Sequence, residues 1–351
     1  MDPARIDLRS DTVTLPTEAM LEAMRHARLG DDGLDRDPTV RDLEDLAAAM
    51  TGKDDAVFVA SGTMGNLVAC LAHTARGGRI LVDGDAHVAR TEAAGVAALA
   101  GLAYPGLPAR EGELDLGALA AALRARGGEP DPAPALIVVE TTHAAAGGRP
   151  LPLDYLRALH ALAQTAGVPV HMDGARAFNA AVAQGVDIAA IARHADSLSF
   201  CLSKGLSAPV GAVLAGPHAF ATRARTFRRM VGGGMRQAGC IAAAGIVALQ
   251  DMVGRLAEDH RRAALLWQAL HAACPALISP VPPATNILRL TLPPASSLDA
   301  RQWANEFQRR GLLLRPAGPG TLRLVTHRHI TDDDVRTAAG MLVANLGPRA
   351  G

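Results

Sequence analysis

The stretch from residue 168 to 211 constrains the fold of this chain more than any other. It contains one apolar run that ends at Asp173 and a second apolar run that leads to Lys204. These two residues are 31 positions apart, about the length of a strand–helix–strand unit. Because open α/β sheets bind ligands at the carboxyl ends of their strands, we expect both side chains to face one crevice.

A carboxylate and a lysine placed in this way suit pyridoxal 5′-phosphate (PLP). The lysine forms a Schiff base with the cofactor, and the carboxylate keeps the pyridine nitrogen protonated. We therefore predict PLP as the cofactor, with Lys204 and Asp173 as its main partners.

The remainder of the chain predicts an α/β protein. Strand-like apolar runs alternate with helical patterns from residue 55 to 215, which indicates a three-layer αβα arrangement around a mainly parallel, doubly wound sheet. The segment 102–132 reads as an edge strand and a helix, and 240–273 as one long helix. We predict a large domain with an N-terminal arm over 1–249 and a small C-terminal α+β domain over 250–351.

Other strand ends bring further polar residues to the same crevice. Gly62 and Thr63 precede a helix, where free backbone N–H groups suit a phosphate, although a simple strand–helix turn is the alternative. His87 follows a strand at a level that favours a flat ring over a cofactor, although a lone histidine often lies on the surface. His143 follows the next apolar run and is expected at the same edge.

Two arginines have patterns that favour an anion as partner. Arg236 follows three consecutive glycines, so its side chain could contact an anion, or belong to a solvated basic face. Arg323 lies in the middle of an apolar strand, where an arginine normally needs an anionic partner. The carboxylate of an amino acid would serve, and a structural ion pair is the alternative.

Composition excludes several classes of function. The 35 acidic and 35 basic residues give no net charge, so nothing favours nucleic acid or an anionic membrane as a partner. The N-terminus has no apolar signal segment, and the four cysteines are widely spaced. The acids between Asp31 and Asp37 lack the spacing of a calcium loop. We predict a cytoplasmic protein with no metal site.

Nine segments together resemble one known family. They run in order through the chain: DLRSDTVT (7–14), GDDGLDRDPTV (30–40), ASGTMGNLVA (60–69), GDAHVARTEAAG (84–95), ETTH (140–143), HMDGARAFNA (171–180), CLSKGLSAPVGA (201–212), GGGMRQAG (232–239) and LRLVTH (322–327). The chain is similar to the low-specificity L-threonine aldolases, PLP enzymes of fold type I, the aspartate-aminotransferase-like superfamily. The combination of HxDGAR with CLSKGL is the most specific part.

The resemblance implies the roles of the cofactor residues. Lys204 would form the internal aldimine, Asp173 would pair with the pyridine nitrogen, and His87 would stack on the ring. The remaining cofactor contacts would come from Arg176 at the phenolic oxygen, Gly62 and Thr63 at the phosphate, and Arg236 reaching that phosphate across a subunit interface.

The resemblance also implies how the substrate binds. Ser10 and Arg323 would bind the substrate carboxylate, and His143 would lie near the substrate hydroxyl. The implied reaction is retro-aldol cleavage of L-threonine, L-allo-threonine or related β-hydroxy-α-amino acids to glycine and an aldehyde, through an external aldimine and a quinonoid. His87 and His143 are both candidates for the base. The implied assembly is a homotetramer with active sites at a dimer interface.

Two departures from the family pattern affect the predicted substrate pocket. Leu34 stands where the family usually has a tyrosine that lines the side-chain pocket, and residues 144–148 form a longer apolar insert after His143. The preferred substrate therefore stays open, and a bulkier β-hydroxy amino acid is one alternative. β-Elimination or racemisation on the same fold is another.

Overall fold

A computed structural model describes residues 5–125, 132–294 and 296–347. The chain divides into two compact units. One comprises Leu15–Val253, and the other joins the residues up to Thr14 with those from Gly254 onward. The predicted edge strand and helix over 102–132 extend partly into 126–131, which lie outside the described residues.

The strands follow in chain order: β1 Ile6–Asp7, β2 Asp55–Val59, β3 Arg79–Asp83, β4 Gly106–Leu107, β5 Ala109–Arg110, β6 Glu113–Leu114, β7 Pro134–Glu140, β8 Val170–Asp173, β9 Ser197–Cys201, β10 Ala212–Gly216, β11 Ile287–Thr291, β12 Leu312–Leu313, β13 Arg315–Pro316 and β14 Thr321–Val325.

The helices follow in the same order: α1 Glu18–Arg25, α2 Pro38–Thr51, α3 Gly62–His73, α4 His87–Arg90, α5 Ala93–Gly95, α6 Leu116–Arg124, α7 Leu153–Ala166, α8 Ala177–Gln184, α9 Ile188–Ala192, α10 His218–Met230, α11 Gly239–Asp251, α12 Leu256–Ala273, α13 Ala300–Arg309 and α14 Asp332–Leu346.

The larger unit is built on a seven-stranded sheet in the order β2-β10-β9-β8-β7-β3-β4. Only β10 runs antiparallel to its neighbours. Strands β8 and β9 are buried along their whole length, because helices cover both faces of a parallel sheet. The predicted α/β fold with a mainly parallel sheet is confirmed.

Register places the predicted crevice at the carboxyl ends of the central strands of this sheet. In the central strands, Glu140 of β7 lies opposite Asp173 of β8, which in turn lies opposite Ser199 of β9. Lys204 follows the end of β9 by three residues. The strand–helix–strand spacing therefore predicted correctly that Asp173 and Lys204 follow neighbouring parallel strands.

The smaller unit contains the antiparallel sheet β11-β14-β13 and a separate parallel pair, β1 with β12. Its core includes Leu8, Leu290, Phe307 and Leu324, all nearly inaccessible to solvent. Because β1 pairs with β12, residues 5–14 group with the C-terminal unit. The predicted boundary between residues 249 and 250 stays a prediction.

The predicted single helix over 240–273 is wrong. Helix α11 ends at Asp251, and α12 begins at Leu256. Gly254 lies in the break, and glycine is a poor helix former because its backbone loses the most conformational entropy. Arg255 precedes α12 and its guanidinium donates to the buried carboxylate of Asp259, one turn into that helix.

Within the described part of the chain, no single helix is long and apolar enough to cross a membrane. By length and composition alone, α11 and α12 would reach that threshold only as a pair.

Candidate active site

Asp173 ends β8 with its side chain buried and held by two donors. Its Oδ1 accepts the backbone N–H of Ala175 at 3.0 Å, and its Oδ2 accepts the Nδ2–H of Asn66 at 2.9 Å. These two hydrogen bonds hold both carboxylate oxygens in place. The residue can therefore present a fixed carboxylate to a protonated nitrogen.

Lys204 lies in the turn that follows β9. The backbone N–H of Ser207 donates to the Lys204 carbonyl at 2.8 Å, and Ser207 has a left-handed φ of 65°. Lys204, Cys201 and Arg176 line one small pocket. Burial raises the pKa of the Cys201 thiol, against the influence of the neighbouring Lys204 ammonium group. The carboxyl ends of β8 and β9 thus bring together the lysine and the arginine predicted from sequence.

The N-terminus of α3 lies beside the end of β9. Ser61 caps this helix by accepting the N–H of Met64 at 3.2 Å. The N–H groups of Gly62 and Thr63 belong to the first turn, so they have no partner within the helix and suit an anion. A Cβ on Gly62 would lie 2.8 Å from Cys201 Sγ, so the close approach of loop and strand requires glycine here.

His87 begins α4 and is held by two glutamates. Its backbone N–H donates to Glu140 Oε2 at 2.6 Å, and its Nδ1 lies 2.7 Å from Glu92 Oε1. The hydrogen bond to the Glu92 carboxylate raises the pKa of His87. The side chain is 45% exposed. His87, Glu92 and Asp173 have ligand atoms within 4.8 Å of one another, so the imidazole lies beside the Asp173 carboxylate.

His143 follows β7 and lies in a different environment from His87. Its side chain is only 2% exposed, and its Nε2 lies 2.9 Å from Asp83 Oδ2. Its Nδ1 accepts the N–H of Ala146 at 3.2 Å, and a Cβ on Gly112 would lie 2.8 Å from its ring. Burial lowers the pKa of His143, but Asp83 and Glu140 more than offset this and raise it. The ring is therefore enclosed, unlike that of His87.

The structure places Arg236 and Leu34 together at a surface loop. Arg236 is 58% exposed, and its Nη1 lies 3.4 Å from Asp31 Oδ1. Leu34 is 79% exposed in the same loop, residues 30–37. Neither side chain lines the pocket that contains Lys204 and Arg176.

The acids of this loop bind protein groups. Asp32 forms an ion pair of 2.5 Å with Arg228, and both side chains are largely buried. Asp37 caps α2 by accepting the N–H groups of Thr39 and Val40. These carboxylates therefore anchor the loop to the larger unit.

Ser10 and Arg323 belong to the smaller unit. Ser10 is buried, and its Oγ accepts the N–H of Thr12 at 3.3 Å. Arg323 donates from Nη2 to the carbonyl of Arg9 at 3.2 Å. On its sheet Arg323 lies directly between Arg289 of β11 and Arg315 of β13, so three cationic residues form one row.

Sequence reasoning missed two buried polar residues beside the carboxyl ends of the central strands. Glu140 accepts N–H groups from both His87 and Ala144, and burial, with Asp173 nearby, raises its pKa. Asn66 donates to both Asp173 and Glu92. The available signal was a polar side chain in an otherwise apolar helix or strand.

These groups fit PLP. Gly62 begins α3 and offers backbone N–H groups to an anion, Asp173 offers a buried carboxylate to a ring nitrogen, and His87 presents a flat ring beside it. Lys204 supplies the amine. The N–H groups of α3, the Asp173 carboxylate and the Lys204 amine thus match the phosphate, the pyridine nitrogen and the aldehyde of that cofactor.

Comparison with known proteins identifies the family. The profile of the beta-eliminating lyase family matches residues 7–292. A probable low-specificity L-threonine aldolase of Arabidopsis thaliana is 41% identical over 334 residues, which cover 94% of both chains. The low specificity L-threonine aldolase of Escherichia coli K12 is 44% identical over 273 residues, 76% of this chain and 80% of that protein.

Solved structures share the fold. A threonine aldolase of Leishmania major superposes with a TM-score of 0.80 at 20% identity, covering 96% of this chain and 98% of that one. A putative L-allo-threonine aldolase of Listeria monocytogenes gives a TM-score of 0.77 at 19% identity, covering 94% and 92%. The chain belongs to the beta-eliminating lyase family and, within it, to the low-specificity L-threonine aldolases, which are PLP-dependent lyases of fold type I.

Proposed function

We propose that this protein cleaves L-threonine, L-allo-threonine or a related β-hydroxy-α-amino acid reversibly to glycine and an aldehyde. The observation that carries the proposal is the placement of Asp173 and Lys204 after neighbouring parallel strands, in a chain whose relatives are L-threonine aldolases over nearly its whole length.

Five groups of the larger unit would hold the cofactor. Lys204 would bond to its aldehyde carbon, Asp173 would pair with the ring nitrogen, and the N-terminus of α3 at Gly62 and Thr63 would bind its phosphate. The imidazole of His87 would cover the ring, and Arg176 would contact the phenolic oxygen. When bound, PLP supplies an electron-accepting ring conjugated to the Cα of the substrate.

Substrate orientation is assigned to two further residues. The guanidinium of Arg323 and the hydroxyl of Ser10 would bind the substrate carboxylate. Holding this group fixes rotation about the bond between nitrogen and Cα. A fixed carboxylate would thereby select which bond at Cα is cleaved, here the Cα–Cβ bond.

The reaction needs one base and no oxidant. The β-hydroxyl proton passes to the base, the Cα–Cβ bond breaks, and the aldehyde leaves. A proton then returns to Cα, and the amine of Lys204 would displace the amine of glycine from the cofactor, which frees the product. We assign the base role to Nε2 of His87, because Glu92 engages Nδ1 and the ring is partly exposed. The ring of His143 is buried against Asp83, so we do not assign it the base role.

We further propose a cytoplasmic homotetramer with active sites at a dimer interface. Free thiols at all four cysteines support a reducing compartment. Exposed apolar side chains at Leu21, Leu29, Leu34 and Met230 support self-association. Arg236 is exposed enough to reach the phosphate site of a second subunit. Light scattering after gel filtration measures the assembly, and a monomer with full activity would contradict it.

Product analysis tests the reaction. Purified protein is incubated with PLP and either L-threonine or L-allo-threonine, and glycine, acetaldehyde, ammonia and oxo-acid are quantified. Glycine and acetaldehyde in equal amounts support the proposal. Ammonia with an oxo-acid would instead support β-elimination, which the name of the matching family favours as the second candidate. A D-amino acid would indicate racemisation.

A further inference from the structure

Asn66 lies at the centre of a buried polar network behind the candidate cofactor site. Its Nδ2 lies 2.9 Å from Asp173 Oδ2 and 3.3 Å from both carboxylate oxygens of Glu92. Ionised carboxylates only accept hydrogen bonds. The amide must therefore turn its NH₂ group toward the two acids, which fixes the orientation of Asn66.

The carbonyl oxygen of Asn66 faces two donors on the opposite side. Ser199 Oγ lies 2.8 Å from Asn66 Oδ1, and His171 Nε2 lies 3.2 Å from the same atom. Since Oδ1 can only accept, His171 must carry its proton on Nε2.

The network continues from His171 to His73. Burial lowers the pKa of His171 to about 3, so its ring is neutral and Nδ1 is an acceptor. Ser197 Oγ lies 2.8 Å from that Nδ1 and donates to it. With its proton committed, Ser197 Oγ accepts from His73 Nε2 at 2.7 Å. Burial lowers the pKa of His73 to about 4, and its ring stacks on Phe220 with centroids 4.4 Å apart.

Secondary structure aligns these side chains in rows. His171 and Asp173 point to one face of β8, because side chains two apart on a strand share a face. Ser197 lies directly opposite His171, and Ser199 directly opposite Asp173. Asn66 and His73 are seven residues apart on α3, so they share the helix face that covers these strands.

We infer that this series is a one-directional chain of hydrogen bonds, His73 to Ser197 to His171 to Asn66 to Asp173, and that Asn66 is the positioning residue that delivers it to the cofactor acid. Each donor polarises the next in a region without solvent, which strengthens the final bond to Asp173. The chain thereby fixes the position of the Asp173 carboxylate. The inference rests on the proposed function only in assigning Asp173 to the cofactor nitrogen.

Nitrogen-15 NMR of the histidine side chains tests the direction of the chain in protein without cofactor. We expect His171 and His73 each to show a single neutral Nε2–H tautomer from pH 5 to 8, with an unprotonated Nδ1 on His171. A His171 ring protonated on Nδ1 would mean that Ser197 accepts from it, and would overturn the inference.

The variant Ser197→Ala tests whether the chain acts on the cofactor site. Removing the middle hydroxyl leaves the final contact of Asn66 with Asp173 in place. We expect the dissociation constant for PLP to rise about fivefold, the equivalent of one hydrogen bond, and the nitrogen-15 shift of His171 Nδ1 to change because that atom loses its donor. The matched control is Thr51→Val, which removes another buried hydroxyl, bonded only within α2, and should leave both readouts unchanged.

Equal PLP affinities for Ser197→Ala and Thr51→Val would overturn the positioning role, because a purely structural contact affects stability alone. These readouts do not depend on turnover. Failure of threonine cleavage with the expected tautomers would therefore count against the proposed function only. If Ser197→Ala does not fold, the tautomers of the unmodified protein decide the question.

Discussion

The Nδ1 of His87 lies 2.7 Å from a carboxylate oxygen of Glu92, and this contact raises the pKa of the imidazole above its ordinary value of 6.5. The pair resembles a base held by an orienting acid, because the hydrogen bond fixes which ring nitrogen carries the proton. The remaining nitrogen, Nε2, is then the one that can accept a proton from substrate.

Replacing Glu92 by glutamine should lower the pKa of His87, since the substitution removes the charge but keeps an acceptor. In the unmodified protein the pair stabilises the fold below about pH 6.5, and this contribution is lost as pH rises through the raised folded pKa. The acidic limb of the cleavage rate, where the base becomes protonated, should move to lower pH in the variant. NMR titration of protein without cofactor measures the pKa directly.

The control for that titration is Glu22→Gln, which alters another glutamate–histidine pair on the exposed helix α1. It should leave the pKa of His87 unchanged. A His87 pKa that is equal in the unmodified protein and in Glu92→Gln would refute the assigned pairing.

Gly62→Ala should weaken PLP binding about tenfold, because a Cβ at this position would lie 2.8 Å from Cys201 Sγ and overpacking typically costs ~1–3 kcal/mol. Titration of cofactor absorbance measures the affinity. The double variant Gly62→Ala/Cys201→Ala removes the obstructing sulfur and should recover most of the loss. Gly95→Ala, which adds a Cβ with nothing within 4 Å, is the matched control. A Gly62→Ala protein that binds PLP normally would contradict the proposed phosphate cradle.

The spacing of Asp173 and Lys204 was enough to predict that both lie at the carboxyl ends of neighbouring strands, because a strand–helix–strand unit has a narrow range of lengths. The helix that follows β2 was also predictable from local pattern. The roles of Asn66 and Glu140 were not, since their partners lie far away in sequence and only the fold brings them together. The break at Gly254 was missed because apolar periodicity continues through it.

The environments of the two histidines were equally beyond sequence reasoning. His87 and His143 follow the carboxyl ends of β3 and β7, which are parallel neighbours. Asp83 and the turn at Gly112 enclose His143, whereas His87 stays partly exposed. Tertiary packing decides this difference, and neither residue carries a local signal for it.

The resemblance to the family places residue 34 beside the substrate side chain, so Leu34→Tyr should change the ranking of aldehydes accepted in the synthetic direction. The variant should change the free energy of unfolding by no more than about 0.5 kcal/mol, because Leu34 is exposed and lies outside the pocket of Lys204 within one chain. Competition assays with glycine and a series of aldehydes measure the ranking. An unchanged ranking would show that the 30–37 loop does not line the substrate pocket.

Asp32→Ala should destabilise the protein by about 3 kcal/mol, because it removes the nearer of the two carboxylates that pair with the largely buried guanidinium of Arg228. Chemical denaturation measures the change. Asp35→Ala, at an exposed position of the same loop, should have little effect. Equal stabilities for the two variants would mean that the buried ion pair does not anchor the loop.

The most direct test of the account is to find the residue that bonds to PLP. The protein is incubated with the cofactor, reduced with borohydride, digested and mapped by mass spectrometry. We predict one modified peptide, labelled at Lys204, and no labelled peptide from Lys204→Ala, which should otherwise remain folded. A label on Lys53, the only other lysine in the chain, or no label at all would contradict the account.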